Sequence, residues 1–175
     1  MSKGFAERYR WAVEIIKPGP GDAILEIGCG TGEAADLIAP LEPRCTVTAV
    51  DRSAKMVASA LRRNADHVRE GRVLILSCPL SDNPFGDSAF DKIFVYNINV
   101  FWMDPAEELQ EIARLLKSGG MFFLFHRPPP GGDPAEYAVE FERNLKKAGF
   151  DVLNVSIDRS EPINSVSVVA HPSRR

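Results

Sequence analysis

The strongest chemical signal in the sequence is an acidic residue followed by closely spaced glycines. Glu26 lies in the apolar run Ala23–Ile27, and Gly28, Gly30 and Gly32 follow at every second position. Glycine permits sharp turns and lets a ligand approach the backbone, because no Cβ stands in the way. The helix predicted to follow presents free N–H groups at its start. This strand–loop–helix context predicts a ligand-binding loop.

A second signal is Asp51, which follows the next predicted strand and stands 21 residues beyond Gly30. A carboxylate at this place can accept hydrogen bonds from the hydroxyls of a ribose. The alternative is that Asp51 is only an acid that precedes a helix. Together with the glycine loop, Asp51 favours ribose binding.

The spacing of the glycines argues against a dinucleotide. Dinucleotide-binding loops have the pattern Gly-x-Gly-x-x-Gly, whereas here Glu33 stands where the third of those glycines would be. Because Glu33 and Glu26 both add negative charge, the loop favours a cationic ligand over a pyrophosphate. An NAD-dependent oxidoreductase is therefore disfavoured. S-adenosylmethionine, which carries a sulfonium and an ammonium group, is a ligand of the favoured kind.

These motifs resemble those of the class I S-adenosylmethionine-dependent methyltransferases. The acidic glycine loop is similar to the family's first motif, residues 84–91 to the stretch before strand four, and residues 115–120 to the turn into strand five, with Ser118 where the family usually has proline. The resemblance covers about residues 22–170. It implies an α/β fold with a Rossmann-like, mostly parallel sheet of seven strands. Strand seven is then antiparallel between strands five and six, and helices cover both faces.

Carried over by position, the resemblance implies that S-adenosylmethionine is the cofactor. The glycine loop would hold its methionine part and Asp51 its ribose, while Arg52 and Met56 would flank the adenine. The cofactor-binding residues implied in this way are Glu26, Gly28, Cys29, Gly30, Asp51, Arg52, Met56, Cys78, Pro79, Leu80 and Asn97.

The sequence departs from the family at the adenine. Much of the family has an acidic residue after strand three that binds the adenine amine, but Pro79 stands in that place here. The adenine edge then depends on backbone groups of Cys78 or Leu80, or on Asp82.

The methyl acceptor is expected at the same edge of the sheet. After strand four, the sequence lacks the Asn/Asp-Pro-Pro-aromatic pattern of enzymes that methylate amino groups of DNA, which disfavours base methylation of that type. The alternative for Asn97 and Asn99 is that they are polar residues of the turn after the strand. The alternative for Phe101 and Trp102 is that they cover the hydrophobic core. The predicted substrate pocket consists of Tyr9, Trp11, Asn99, Phe101, Trp102 and His126.

Catalytic residues are not specified by the pattern. The sulfonium methyl is already activated, so alignment with the nucleophile supplies much of the rate, and a general base is needed only for a poorly acidic nucleophile. His126, at the end of the fifth predicted strand, is the one candidate base, and a packed or solvent-facing histidine is its alternative. Asp104 is better explained as a helix N-cap.

Alternating apolar runs and helical periodicities predict that the α/β pattern extends along the chain. The 175 residues favour one domain, with an N-terminal helix and linker over residues 1–21 and a core over residues 22–170. The predicted helices cover residues 5–17, 32–39, 53–65, 104–117 and 133–149, and the predicted strands cover residues 23–27, 46–50, 72–76, 90–96, 122–126, 152–157 and 165–170.

Composition restricts the partners. The net charge is −3, and basic runs are limited to residues 62–63 and 174–175, which disfavours a nucleic-acid partner. Cys29, Cys45 and Cys78 are odd in number and have neither disulfide nor metal-ligand spacing, so we expect no metal and a reducing cytoplasm. No apolar run is long enough for a signal peptide or a membrane span. A homodimer remains open, because the chain offers little material for a lid over a small-molecule acceptor.

Two functions from different classes remain open. One is S-adenosylmethionine-dependent methyl transfer to a small molecule, and the other is a non-catalytic S-adenosylmethionine-binding or regulatory module, since a fold alone does not determine activity. The missing adenine acid favours the second function. The aromatic and polar residues expected at the active face favour the first.

Overall fold

The computed structural model describes residues 3–173, so the pair Arg174 and Arg175 lies outside the described residues. The helices are α1 (Lys3–Ile16), α2 (Glu33–Ile38), α3 (Ala54–Arg63), α4 (Ala65–Arg69), α5 (Ala106–Leu115) and α6 (Pro134–Lys147). The strands are β1 (Ala23–Ile27), β2 (Thr46–Asp51), β3 (Val73–Ser77), β4 (Phe90–Tyr96), β5 (Leu116–His126), β6 (Phe150–Asp158) and β7 (Ser165–Pro172). Short 3₁₀ turns cover Leu80–Asp82 and Asn99–Trp102.

All seven strands belong to one sheet, in the order β3-β2-β1-β4-β5-β7-β6. Strands β1 to β5 pair in parallel, and β7 is antiparallel to both β5 and β6. The predicted seven-stranded sheet with an inserted antiparallel strand is therefore confirmed. Since β2 and β4 lie on opposite sides of β1, the strand order reverses there, which is where open α/β sheets form a crevice.

Two apolar layers cover the two faces of the sheet. On the first face, residues of α1 and α2 such as Ile16 and Ile38 pack with Ile24 of β1. On the second face, Ile112 of α5 and Phe141 of α6 belong to the other buried cluster. The central strands are buried on both sides, which explains their nearly continuous apolar sequences. Within residues 3–173, none of the helices has the length and apolarity that crossing a membrane requires.

Three predictions about the helices are wrong. The helix predicted over residues 53–65 breaks at Asn64, which separates α3 from α4. The predicted N-cap Asp104 is not used either, because α5 has Pro105 at that position and no side-chain cap. The same helix ends at Leu115 instead of continuing to residue 117, because the chain already pairs with β4 from Leu116 onwards. At Asn64 and Leu116, contacts with distant parts of the chain outweigh local start and stop signals.

Gly32 joins the glycine loop to α3. It has a left-handed backbone with φ of 73°. A Cβ there would lie 2.6 Å from Asn64 Nδ2 and 2.9 Å from Ala60 Cβ. The Asn64 side chain is buried and donates a hydrogen bond to the carbonyl of Gly32 at 3.0 Å. Gly32 is thus required both for its backbone conformation and for its close approach to α3.

We expect Gly32→Ala to reduce the free energy of unfolding by about 2–4 kcal/mol, because it adds overpacking to the strain of a left-handed alanine. Gly71→Ala is the matched control: Gly71 has φ of 72° with no heavy atom within 4 Å of a Cβ, so only about 1 kcal/mol is lost. Urea unfolding measures both variants. Equal losses would show that Asn64 and Ala60 give way without cost.

Candidate active site

A cavity of about 570 Å³ lies at the carboxyl ends of β1 to β4, with α5 as one wall. It occupies the place where the strand order reverses, as expected for a ligand site in such a sheet. Its lining residues are Ile27, Gly28, Val50, Asp51, Arg52, Cys78, Pro79, Leu80, Ser81, Asn97, Ile98, Asn99, Val100, Phe101, Glu107, Glu108 and Glu111.

The glycine loop is held against the end of β2 by its own backbone. The N–H groups of Gly28 and Cys29 both donate to the carbonyl of Val50, at 2.8 and 3.0 Å. Gly28 has φ of 74°, and a Cβ there would clash with the Cδ1 atom of Ile98. Gly30 has φ of 53°, and a Cβ there would have no heavy atom within 4 Å. Glycine is therefore needed for packing at one position and leaves open space at the other.

Asp51 connects the loop to the start of α3. Its Oδ2 atom accepts a hydrogen bond from Gly30 N at 2.8 Å, and its Oδ1 atom accepts one from Ser53 N at 2.8 Å. An ionised carboxylate offers about four acceptor sites, so each oxygen retains capacity for a ligand hydroxyl. This structural role was not anticipated from the sequence.

Glu26 is buried beside the loop and does not line the cavity. Its side chain is 2 % exposed, and Oε2 has no hydrogen-bond partner among residues 3–173. Burial raises the pKa of this carboxyl to about 8, the nearby Asp51 charge adds to the effect, and a hydrogen bond from the backbone of Ala35 opposes it. Burial together with the Glu26 charge also raises the pKa values of Tyr9 and Cys29, which favours their protonated forms.

Glu33 does not contribute free negative charge, contrary to the sequence-based expectation. Its carboxylate forms an ion pair with Arg63 at 2.9 Å. Arg63 also donates to the carbonyl of Thr31 at 3.0 Å, so it clamps α3 to the glycine loop. The effect of Glu33 is to stabilise the loop rather than to repel an anion.

The predicted cofactor residues divide into two groups. Gly28, Asp51, Arg52, Cys78, Pro79, Leu80 and Asn97 line the cavity, whereas Glu26, Cys29, Gly30 and Met56 do not. At the end of β4, Asn97 has a left-handed φ of 58°, and its Oδ1 atom accepts a hydrogen bond from Arg127 N at 2.7 Å. Asn97 thereby fixes the ends of β4 and β5 relative to each other.

Most of the predicted substrate-pocket residues lie elsewhere. Asn99 and Phe101 line the cavity, but the other four do not. Tyr9 packs on Tyr96 with ring centroids 4.9 Å apart, and Trp11 meets Phe125 edge-on at 5.7 Å, both against the first face of the sheet. Trp102 lies edge-on to Tyr137. The packing of α1 against the sheet half-buries Tyr9 and Trp11, whereas Trp102 is 36 % exposed beside α6. The sequence alone assigns such aromatic rings equally well to a pocket.

His126 belongs to the core in this structure. Its ring is 5 % exposed and packs 4.3 Å from the Tyr137 ring and 5.7 Å from the Phe141 ring. Burial lowers its pKa to about 4, and neither ring nitrogen has a partner among the described residues. The structure therefore corrects the predicted position of this candidate base, which does not reach the cavity wall.

Three carboxylates of α5 belong to the cavity wall but were not predicted from the sequence. Glu107, Glu108 and Glu111 all line the cavity. Positions i, i+1 and i+4 of a helix share one side, which is a signal the sequence does contain. Acidic residues near a helix N-terminus are, however, adequately explained by the helix dipole.

The charged lining of the cavity is predominantly acidic. Asp51, Glu107, Glu108 and Glu111 face a cavity in which Arg52 is the one cationic lining residue among residues 3–173. This lining favours a cationic ligand. The open space at Gly30, the free acceptor capacity of Asp51 and the unpartnered Oε2 of Glu26 fit the ribose and the cationic methionine part that the resemblance implies. No group of His, Cys, Asp and Glu within residues 3–173 is arranged to hold a metal ion.

We expect Glu26→Gln to stabilise the ligand-free protein increasingly as pH rises. The folded-state pKa of Glu26 is about 8, well above its ordinary value of 4.5. The wild type therefore loses stability as pH rises from about 4.5 towards 8, because the unfolded chain ionises first. The amide cannot ionise but still accepts the Ala35 hydrogen bond.

The difference in unfolding free energy between the variant and the wild type should change by about 2 kcal/mol in favour of the variant between pH 5 and pH 7. Urea unfolding at each pH provides the measurement. Parallel pH curves for the two proteins would mean that Glu26 is already ionised in the folded state.

Comparisons with known proteins identify the family to which the chain belongs. A family model described as a methyltransferase domain matches residues 25–124, from β1 to β5. The ubiquinone/menaquinone biosynthesis C-methyltransferase UbiE of Geotalea daltonii is 35 % identical over 124 residues, which cover 69 % of this chain and 52 % of the relative. The uncharacterized methyltransferase YdaC of Bacillus subtilis is 26 % identical over 165 residues, covering 92 % and 89 %. The chain thus spans about half the length of one relative and most of the other.

Solved structures show the same fold. A SAM-dependent methyltransferase from Aquifex aeolicus superimposes with a TM-score of 0.77 at 20 % identity, covering 97 % of this chain and 93 % of that one. The (4+2)-cyclase SpnF gives a TM-score of 0.79 at 18 % identity, covering 97 % and 82 %. With the acidic glycine loop, Asp51 and the seven-stranded sheet in place, the chain belongs to the class I S-adenosylmethionine-dependent methyltransferase family.

Proposed function

We propose that the protein transfers a methyl group from S-adenosylmethionine to a small-molecule acceptor, and that the cavity at the ends of β1 to β4 binds the cofactor. The observation that carries this proposal is the convergence of Gly28, Asp51 and Asn97 on one acidic cavity. Relatives named as a C-methyltransferase, an O-methyltransferase and a phosphoethanolamine N-methyltransferase support methyl transfer, and leave the acceptor atom open.

Within this proposal, the residues of the chain bind and orient. Asp51 accepts hydrogen bonds from the ribose hydroxyls, and the loop around Gly28 and Gly30 receives the methionine part. The Glu26 carboxyl lies behind that loop, where burial favours its neutral form, and a positively charged ligand favours its ionisation. The cofactor supplies a methyl group already activated by its sulfonium. Holding the acceptor in line with this methyl is therefore the main task left to the protein.

The acceptor end is proposed to lie near Asn97, Asn99 and Phe101. None of the three histidines of the chain lines the cavity. This arrangement suits an acceptor atom that needs no strong base, such as a carbon or oxygen of an acidic molecule or a neutral amine.

A non-catalytic cofactor-binding module is the second candidate function. The structural similarity to SpnF, a cyclase, shows that this fold is compatible with activities other than methyl transfer. Release of S-adenosylhomocysteine from S-adenosylmethionine on a panel of phenols, quinols, acids and amines distinguishes the two candidates. Turnover supports the first, and tight binding without turnover on any member of the panel supports the second.

We expect S-adenosylhomocysteine to raise the melting temperature of the protein, because a ligand that binds only the folded state stabilises it by mass action. NAD serves as the control and should give no shift, since its pyrophosphate meets an acidic cavity. The proposed function fails if millimolar S-adenosylhomocysteine gives neither a thermal shift nor heat in calorimetry.

We expect Asp51 to distinguish S-adenosylhomocysteine from its 2′-deoxyribose analogue. In the wild type, the analogue should bind more weakly by about 1.5–3 kcal/mol, the usual strength of a hydrogen bond to a charged group. In Asp51→Ala, that difference should largely disappear.

The ratio of the two ligands within each protein is the quantity to measure, because Asp51 also holds Gly30 and Ser53. Damage to the loop weakens both ligands alike and leaves the ratio unchanged. If wild type and Asp51→Ala show the same ratio, Asp51 serves only the loop.

A further inference from the structure

The cavity has no acid where the family usually places one for the adenine amine. Beyond Asp51, the wall on the β3 side consists of Cys78, Pro79, Leu80 and Ser81. An exocyclic amine is a donor, and it needs an acceptor to replace the water that it loses on binding. If this cavity binds the cofactor as proposed above, that acceptor must come from another residue on its wall.

The acceptors that line the cavity on the β3 side are uncharged, and two of its carbonyls already accept a hydrogen bond within the loop. The Pro79 carbonyl accepts from Asp82 N at 3.2 Å, and the Leu80 carbonyl accepts from Asn83 Nδ2 at 2.7 Å. Asp82 does not line the cavity. The thiol of Cys78 is a weak acceptor. The charged acceptors of the cavity lie instead on the opposite wall.

That opposite wall is α5, which is fixed to the loop after β3. Asn83 Nδ2 donates to Glu111 Oε1 at 2.6 Å, and Phe85 N donates to Asn83 Oδ1 at 3.0 Å. The carboxylates of α5 and residues 78–81 therefore belong to two connected walls of one cavity.

Glu108 is the carboxylate of α5 that remains available. The charge of Glu111 is already compensated, since Arg114 forms an ion pair with it and donates to Oε2 at 2.9 Å and to Oε1 at 2.5 Å. Glu107 is exposed in the first turn of the helix. Glu108 is half-buried on the cavity wall, and within residues 3–173 its side chain has no hydrogen bond or ion pair. Its charge thus faces the cavity without compensation.

We propose that Glu108 accepts a hydrogen bond from the exocyclic amine of the adenine, so that α5 supplies the acid that the loop after β3 lacks. The carboxylate then selects a 6-amino purine over a 6-oxo purine, because a carbonyl oxygen in the same place would face a second acceptor. Selection by a group left unpaired with the wrong ligand is strong.

The test compares S-adenosylhomocysteine with S-inosylhomocysteine, which has a carbonyl in place of the amine. Titration calorimetry on the wild type should show a preference of roughly 10- to 100-fold for S-adenosylhomocysteine, the range expected for a charge-assisted hydrogen bond. In Glu108→Gln, the new amide can donate to the carbonyl, so the preference should fall at least about tenfold.

Asp82→Asn is the matched control. It removes the same charge from the facing loop, where Asp82 is exposed and off the cavity wall, so both variants change the net charge near the cavity by the same amount. Asp82→Asn should retain the wild-type preference. Melting temperatures of the ligand-free proteins verify that both variants fold.

Three results overturn the inference while leaving the proposed function intact. They are a wild type that binds both ligands equally, a Glu108→Gln variant with the wild-type preference, and an Asp82→Asn variant that loses it. A wild type that binds neither ligand overturns the proposed function itself, and the inference with it.

Discussion

The two hydrogen bonds accepted by Asp51 are the contacts on which the rest of the site depends. They join Gly30 to Ser53, and hence the turn after β1 to the first turn of α3. The carbonyl of Val50 holds the same turn by accepting hydrogen bonds from Gly28 N and Cys29 N. Three glycines in left-handed conformations form no regular hydrogen-bonding pattern of their own, so the end of β2 provides the order that they lack. A ligand that binds Asp51 therefore meets a loop already in place.

The acids around the cavity fall into two groups. Those with structural roles are compensated: Glu33 by Arg63, Glu111 by Arg114, and Asp51 by backbone N–H groups. Others are left without compensation, among them the buried Oε2 of Glu26. A buried carboxyl without a partner reduces the stability of the folded protein. In a site that binds a cation, the bound ligand supplies the missing partner.

The sequence predicted the architecture well because hydrophobic periodicity determines it. Central strands contain apolar runs such as Met121–Phe125 of β5. The errors occur where distant contacts decide. Asn64 interrupts the predicted helix because its amide serves the carbonyl of Gly32, 32 residues away in the chain. His126 resembles a strand-end base, yet it is covered by Tyr137 of α6.

The site was only partly predictable for a related reason. The loop and Asp51 carry motifs, and motifs can be recognised without coordinates. The acids of α5 could not be assigned to the cavity, since one turn of an acidic helix N-terminus looks the same whether it faces solvent or ligand. The orientation of α5 is set by its buried residues Leu109 and Ile112. The sequence identifies those buried residues, but it does not show that their packing turns the acidic residues of α5 towards the cavity.

The connection from β3 to β4 contains only one short 3₁₀ turn, and it depends on α5 for its shape. One amide, that of Asn83, bonds to the chain on both sides of it and to Glu111, while Arg114 reaches Phe85 and Asp87. These hydrogen bonds make the shape of the β3–β4 connection depend on the residues of α5. A lineage that exchanges the loop must exchange the facing side of the helix with it, so divergence in ligand preference is expected to proceed through paired replacements in these two segments rather than through single ones.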